Sequence, residues 1–163
     1  KESIIRMLSR LNPKKIIIVS SSPQIRYPDC YGIDMSKLGE FIAFNAAVEL
    51  LKERGKEEDL KNLHERCKEL LRTDQLHSEN IVRHLYKPFT AEEVAIKIAQ
   101  LITPPETTIP VEVIFQSIED LHKSCPNNLG DWYFTGNYPT PGGNKVVNKA
   151  FINYMEGKNV RGY

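Results

Sequence analysis

Cysteine is scarce in this sequence. Its 163 residues include three, Cys30, Cys67 and Cys125, widely spaced and without a C-x-x-C pair. That excludes a disulfide scaffold and points to a reducing, cytoplasmic setting. Charge of one sign is lacking too. A net charge of +1 creates no field that would draw the chain to nucleic acid or to a membrane surface. No apolar run approaches the ~20 residues of a membrane span, and no signal peptide is visible. Internal repeats and low-complexity tracts are missing. So are the phosphate fingerprints G-x-G-x-x-G and G-x-x-x-x-G-K-[ST]. The stretch "GNYPTPGG" at 136–143 has glycine without their spacing; it is weak as a phosphate cradle and equally suits a loop that positions Tyr138 between two domains.

What the sequence does have is an ordinary globular balance and enough length for a sizeable core. Ile4, Ile5, Leu8 and Leu11 recur at helical spacing until Asn12-Pro13 stops the helix. The continuous β-branched run 16–19 predicts a strand buried on both faces of a parallel sheet. Ser20-Ser21-Ser22-Pro23 ends it, and ligands in open parallel sheets bind beyond such strand ends. Ser36 can cap a helix over 36–54 that Gly55 closes. Further helices are expected over 56–72, 78–86 and from Thr90, which forms a capping-box pattern with Glu93. A second strand is expected over 111–115, a short helix over 118–123, an edge strand over 132–135, a last helix over 145–156 and a frayed tail. Two or three strands among six or seven helices leave open sheet edges. With no initiator methionine and a start inside a helical pattern, the chain is expected to be a piece of a larger protein.

Several residues could carry chemistry. His64 and Cys67 lie three apart on one helix and can share a face with a metal. Structural zinc takes four ligands, however, and His77 and His84 supply no matching pair, so a thin core stripe with a surface imidazole is the plainer reading. A Cys-His nucleophile pair can form in space, but nothing marks Cys30, Cys67 or Cys125 as activated. The run "KERGKEEDLKNLHERCKE" at 52–69 reads as a solvated helix face, with Glu57-Lys61 and Glu65-Lys68 as candidate pairs. Asp29 and Asp34 can bind a divalent ion or a ribose, or can serve as turn residues, Asp29 as an Asx-turn after Pro28 and Asp34 ahead of a helix cap.

Two stretches carry more than pattern. "KKIIIVSSSPQIRYPDCYGIDM" at 14–35, followed by "EFIA", resembles the segment after the phosphoribosyl pyrophosphate (PRPP) loop of glutamine PRPP amidotransferases. "VIFQSIEDL" at 113–121 and "FTGNYPT" at 134–140 resemble the same family's C-terminal strand, helix and F-x-G-x-Y element. The resemblance covers about residues 1–50 and 111–140. Residues 56–110 look like an enlargement.

The resemblance implies an incomplete type I phosphoribosyltransferase: an α/β piece with a Rossmann-like parallel sheet and a largely helical insertion. On that view 1–55 belong to the phosphoribosyltransferase core, 56–110 are the insertion, and 111–163 return to the same domain. The implied activity is conversion of PRPP and glutamine to 5-phosphoribosylamine, glutamate and pyrophosphate, the first step of purine synthesis. Mg²⁺ would sit on the pyrophosphate, with its ligands upstream of Lys1. The Lys1–Leu11 helix would start at the PRPP loop and lend its N-terminal dipole to the 5-phosphate. The glutaminase cysteine and the PRPP loop are absent from the sequence, so the chain by itself is expected to be inactive.

No catalytic residue and no metal ligand is therefore expected here. Ser20, Ser21, Ser22, Tyr31 and Asp34 are expected as a substrate-site wall, and Phe41 as a wall of the ammonia path. Purine nucleotide inhibitors and a homo-oligomer are implied; nucleic acid and membrane partners are not. Some relatives hold an iron-sulfur cluster, but the matching positions here are Asp29, Asn127 and Gly130, with Cys30 one place late, so no cluster is expected. Two other readings remain: a non-catalytic helical interaction module built on 56–110, and a nucleotide-binding regulatory domain.

Overall fold

The computed structural model describes residues 2–32, 35–127 and 130–162. Two five-residue strands form its sheet among these residues: β1 (Ile16–Ser20) and β2 (Val111–Phe115). They run parallel, with Ile16 beside Val111, Ile18 beside Val113 and Ser20 beside Phe115. Parallel neighbours need a long crossover, and here the crossover contains most of the helices. α2 (Ile42–Glu53), α3 (Glu57–Arg72), α4 (Arg83–Tyr86) and α5 (Ala91–Ile102) all lie between the two strands. α1 (Glu2–Ser9) precedes β1, while α6 (Ile118–Ser124), α7 (Trp132–Thr135) and α8 (Pro141–Met155) follow β2.

The core sits against one sheet face. Ile16 and Val113 are buried, and Ile18 and Phe115 pack on the central cluster. On the opposite face Ile17 is 52% exposed and Val19 71% exposed. The expected burial on both faces is thus corrected: no described element covers the second face. α2 supplies the centre, with Ala43, Phe44, Ala46, Ala47, Val48 and Leu51 buried. Phe44 meets the ring edges of Phe151 and Tyr154 of α8. Burying such a large apolar side chain stabilises by roughly 1.5–3 kcal/mol, so α2, α5 and α8 form one body.

Local chemistry decides several boundaries. Thr90 and Glu93 form the reciprocal capping box, at 3.1 and 2.8 Å. Gly55 follows α2 with φ +64°, the left-handed position that glycine adopts freely. Ser36 does not cap α2. It is buried, its Oγ has no partner among the described residues, and a 3-10 turn over Leu38–Glu40 intervenes before the helix starts after Phe41. The 78–86 helix shrinks to α4, because residues 76–81 are held in a turn by Asn148 instead. The expected edge strand at 132–135 is α7. The Asp131 carbonyl accepts from Phe134 and Thr135 N–H groups at 2.9 and 3.0 Å, and Gly136 closes the turn at φ +72°.

α8 begins at Pro141, earlier than expected. Proline suits a helix start, and Gly143 is required because a Cβ there would stand 2.4 Å from the Tyr138 ring. The tail is docked rather than frayed: Asn153 Nδ2 donates to the Arg161 carbonyl at 3.0 Å, and Gly162 is buried against α8. No described helix is long and apolar enough to cross a membrane.

Candidate functional site

The loops after β1 and β2 leave from the same end of the sheet, as parallel strands require. At the β1 exit the three serines form a tight turn. Ser20 Oγ donates to the Ser22 carbonyl at 3.0 Å and accepts from Ser22 N–H at 3.3 Å. Ser22 is half-buried and Ser21 is exposed. Across from them Ser117 caps α6, its Oγ accepting from Asp120 N–H at 3.0 Å.

The chain then turns inward. Gln24 is buried, and its Nε2 donates to the Ala91 carbonyl at 2.7 Å while Oε1 accepts from Arg26 at 2.8 Å. The Arg26 guanidinium lies 4.9 Å from the Tyr86 ring centre, a cation–π distance. Tyr86 donates its hydroxyl to the Arg26 carbonyl at 3.1 Å. Tyr27 packs edge-on against Tyr86. Burial pushes the Tyr27 phenol up to about 12 despite the nearby Arg26 and Arg83 charges, so it is a neutral hydroxyl at ordinary pH.

Asp29 is 1% exposed. Its Oδ2 accepts from Tyr31 N–H at 2.8 Å, the Asx-turn expected from the sequence. Its Oδ1 accepts from the Tyr133 hydroxyl at 2.8 Å. Partial burial, then this bond to Asp29, hold the Tyr133 phenol up at about 12. Tyr138 donates to the Pro28 carbonyl at 2.6 Å. The Tyr133 carbonyl accepts from both Arg26 and Tyr27 N–H groups, at 2.8 and 3.1 Å. Tyr31 projects outward, 65% exposed, with its ring edge 5.7 Å from Trp132.

"FTG" docks here for a steric reason. At Gly136 a Cβ would meet Asn80 Nδ2 at 2.6 Å and the Tyr27 ring at 2.9 Å. Only glycine combines that fit with a positive φ.

Of the expected wall residues, the structure places Ser20 at the last position of β1 and Ser21, Ser22 and Tyr31 on the loop beyond it. Asp34 lies outside the described residues. Phe41 is buried in the core where α2 begins. Sequence reasoning missed Gln24, Arg26, Trp132 and Tyr133. Tyr133 acts across more than a hundred residues, and no local pattern signals such a partner.

The other candidates separate. Cys67 is fully buried, and burial lifts its thiol to about 12. His64 is not a surface imidazole: its Nε2 is buried, with Glu156 4.0 Å away. Burial and then the Asp29 charge raise the Cys30 thiol, the reverse of what a nucleophile needs. On α3 Lys61 pairs with Glu58 at 3.1 Å, not with Glu57, and Lys68 with Glu65 at 2.9 Å. Among the described residues no three His, Cys, Asp or Glu side chains could together hold a metal ion. A groove of about 1280 Å³ runs elsewhere, between α5 and β2. It touches the candidate loop only at Pro23, Gln24 and Arg26.

Four curated amidophosphoribosyltransferases match the chain. That of Haemophilus influenzae is 42% identical over 52 residues, covering 32% of this chain and 10% of the relative. That of Pasteurella multocida is 44% identical over 48 residues, covering 29% and 10%. That of Escherichia coli is 38% identical over 52 residues, covering 32% and 10%. The similarity thus spans about a tenth of these transferases' length. No protein-family model matches the chain, and no solved structure matches it significantly.

Proposed function

We propose that this chain is a segment of an amidophosphoribosyltransferase, an enzyme of purine synthesis, and that it forms the C-terminal part of a type I phosphoribosyltransferase domain. The observation that carries the reading is the 38–44% identity to four such enzymes. The parallel β1–β2 pair, with the loop of residues 21–32 at its C-terminal end, supports it.

The reaction joins ammonia, released from glutamine, to C1 of PRPP as pyrophosphate leaves. C1 gains oxocarbenium character, so catalysis depends on charge stabilisation and exclusion of water. Ser20, Ser21, Ser22, Tyr31 and Asp34 form one wall of the PRPP site, and Phe41 lines the ammonia path. Bound Mg²⁺ would supply charge neutralisation for the leaving pyrophosphate. The described residues contain no donor set that fits it, so no step is assigned to it in this chain. Residues 56–110 are an insertion into the domain. Glutamine, PRPP and purine nucleotides are the small-molecule partners, the assembly is a homo-oligomer, and the setting is cytoplasmic.

The test is pyrophosphate release from PRPP with ammonia, assayed in the full-length protein and in this segment alone. The reading expects release by the first and none by the second. A full-length protein without PRPP-dependent release refutes the assignment.

A further inference from the structure

We propose that Asp29 and Tyr133 are positioning residues for Tyr31. Their buried hydrogen bond ties the turn that carries Tyr31 to the segment 130–138, and that segment thereby shapes the surface beyond β1. The identity of the ligand rests on the phosphoribosyl reading above; the latch itself rests on geometry.

Tyr31 has little packing of its own, being 65% exposed. Its backbone N–H is bonded to Asp29 Oδ2 at 2.8 Å, and its ring edge stands 5.7 Å from Trp132. Both contacts lead to the same short helix, α7. Asp29 is held at its other oxygen by Tyr133, at 2.8 Å, and Trp132 is the neighbouring residue. The Tyr133 carbonyl also holds the N–H groups of Arg26 and Tyr27, and Tyr138 holds the Pro28 carbonyl. One distant segment therefore bonds the strand-exit loop at residues 26, 27, 28 and 29, and meets it again at Tyr31.

On the other side of Tyr31 the Met35 carbonyl accepts from Asp29 N–H at 2.6 Å, so both ends of the turn meet at Asp29. Gly32 adopts φ +93°, with no atom within 4 Å of the position a Cβ would take. The turn's conformation is thus imposed from the Asp29 side. A carboxylate that is 1% exposed depends on its donors, and bonds to an ionised acceptor are about twice as strong as neutral ones. Removing the Tyr133 hydroxyl leaves a buried charge short of one donor, and the turn must move or hydrate to compensate.

Trp132 is the chain's single tryptophan, so its emission reads this spot directly. Tyr133→Phe removes one oxygen atom and keeps the ring. The expected result is an unchanged far-ultraviolet circular dichroism spectrum, a shifted Trp132 emission and greater acrylamide quenching. PRPP affinity of the full-length protein, titrated by calorimetry, falls about tenfold. In the full-length enzyme KM for PRPP rises by a similar factor while kcat stays near wild type. Asp29→Asn keeps an acceptor for only one of Tyr31 N–H and the Tyr133 hydroxyl, so it gives a loss of similar size, and it serves as the second variant if Tyr133→Phe does not fold. Wild-type emission and wild-type PRPP affinity in a folded Tyr133→Phe protein would overturn the latch. A full-length wild-type protein that fails to bind PRPP, with Trp132 emission of this segment still altered by Tyr133→Phe, supports the latch and sinks the phosphoribosyl reading.

Discussion

Replacing Asn148 with leucine gives the sharpest test of how the helical part is held. Asn148 is fully buried on α8. Its Nδ2 donates to the carbonyls of Leu76 and Glu79, at 2.8 and 2.7 Å, and its Oδ1 accepts from Ile81 N–H at 2.9 Å. Leucine keeps the same branched heavy-atom skeleton, though its methyl groups are bulkier, and three backbone groups lose their partners. Each buried group left unmade costs about 1–3 kcal/mol. Allowing for partial access of water at Glu79, the sum is about 3–5 kcal/mol, a large part of a typical total stability of ~5–15 kcal/mol. For a chain of this size that lowers Tm by roughly 6–20 °C. Urea unfolding followed by circular dichroism measures the loss, and amide exchange at Ile81 localises it. Asn148→Asp adds a pH dependence. A buried carboxylate facing two carbonyl oxygens has a folded-state pKa raised above its unfolded value, because burial and the two carbonyls outweigh the single Ile81 N–H donor. The folded variant then binds more protons than the unfolded chain, so its stability rises as pH falls toward 5. A leucine variant within about 1 kcal/mol of wild type, with Ile81 protection intact, would refute the account.

Other outcomes follow from single contacts. Gly136→Ala should cost about 2–4 kcal/mol in urea unfolding, since its Cβ would overlap Asn80 and the Tyr27 ring at a positive φ. Thr90→Ala removes the capping box of α5 and should cost about 1 kcal/mol; thermal unfolding with no shift would count against it. In the folded protein at pH 8 Cys67 should resist thiol reagents, because burial lifts its thiol to about 12 and keeps it protonated, whereas the exposed Cys125 reacts; mass mapping of the labelled sites decides this. Val19→Thr should change the stability of this chain by no more than about 0.5 kcal/mol, since Val19 is in water. A larger loss would mean the second sheet face is covered.

The sequence made the strands and most of the helices readable, because each carries its own local signal. The β-branched runs at 16–19 and 111–115 and the Thr90–Glu93 capping box need no tertiary context. The failures have physical causes. Aromatic residues 132–135 suggested a strand, yet Asp131 and Gly136 bend them into one helical turn. Two glycines hid the start of α8, whose small surface is needed beside Tyr138. Ser36 looks like a cap, but the core takes it in. The hydrophobic run at 16–19 shows that both sides of a strand are apolar; it cannot show that both are covered. The wall loop was visible through its turn residues and its place after β1. Its supports, Tyr133 and Tyr138, lay more than a hundred residues away, beyond the reach of any spacing rule.

The parallel pairing of Ile16 with Val111 also has a kinetic consequence. A loop of roughly 90 residues must close before the first sheet bond forms, about 3 kcal/mol more in chain entropy than a four-residue hairpin. Helices 57–102 rest on local contacts, which form orders of magnitude faster than distant strand pairs. Once α2, α3 and α5 have packed, the path between the strands is much shorter than its residue count. The sheet therefore forms last, and the loop beyond β1 takes its shape only when the rest of the chain has already folded.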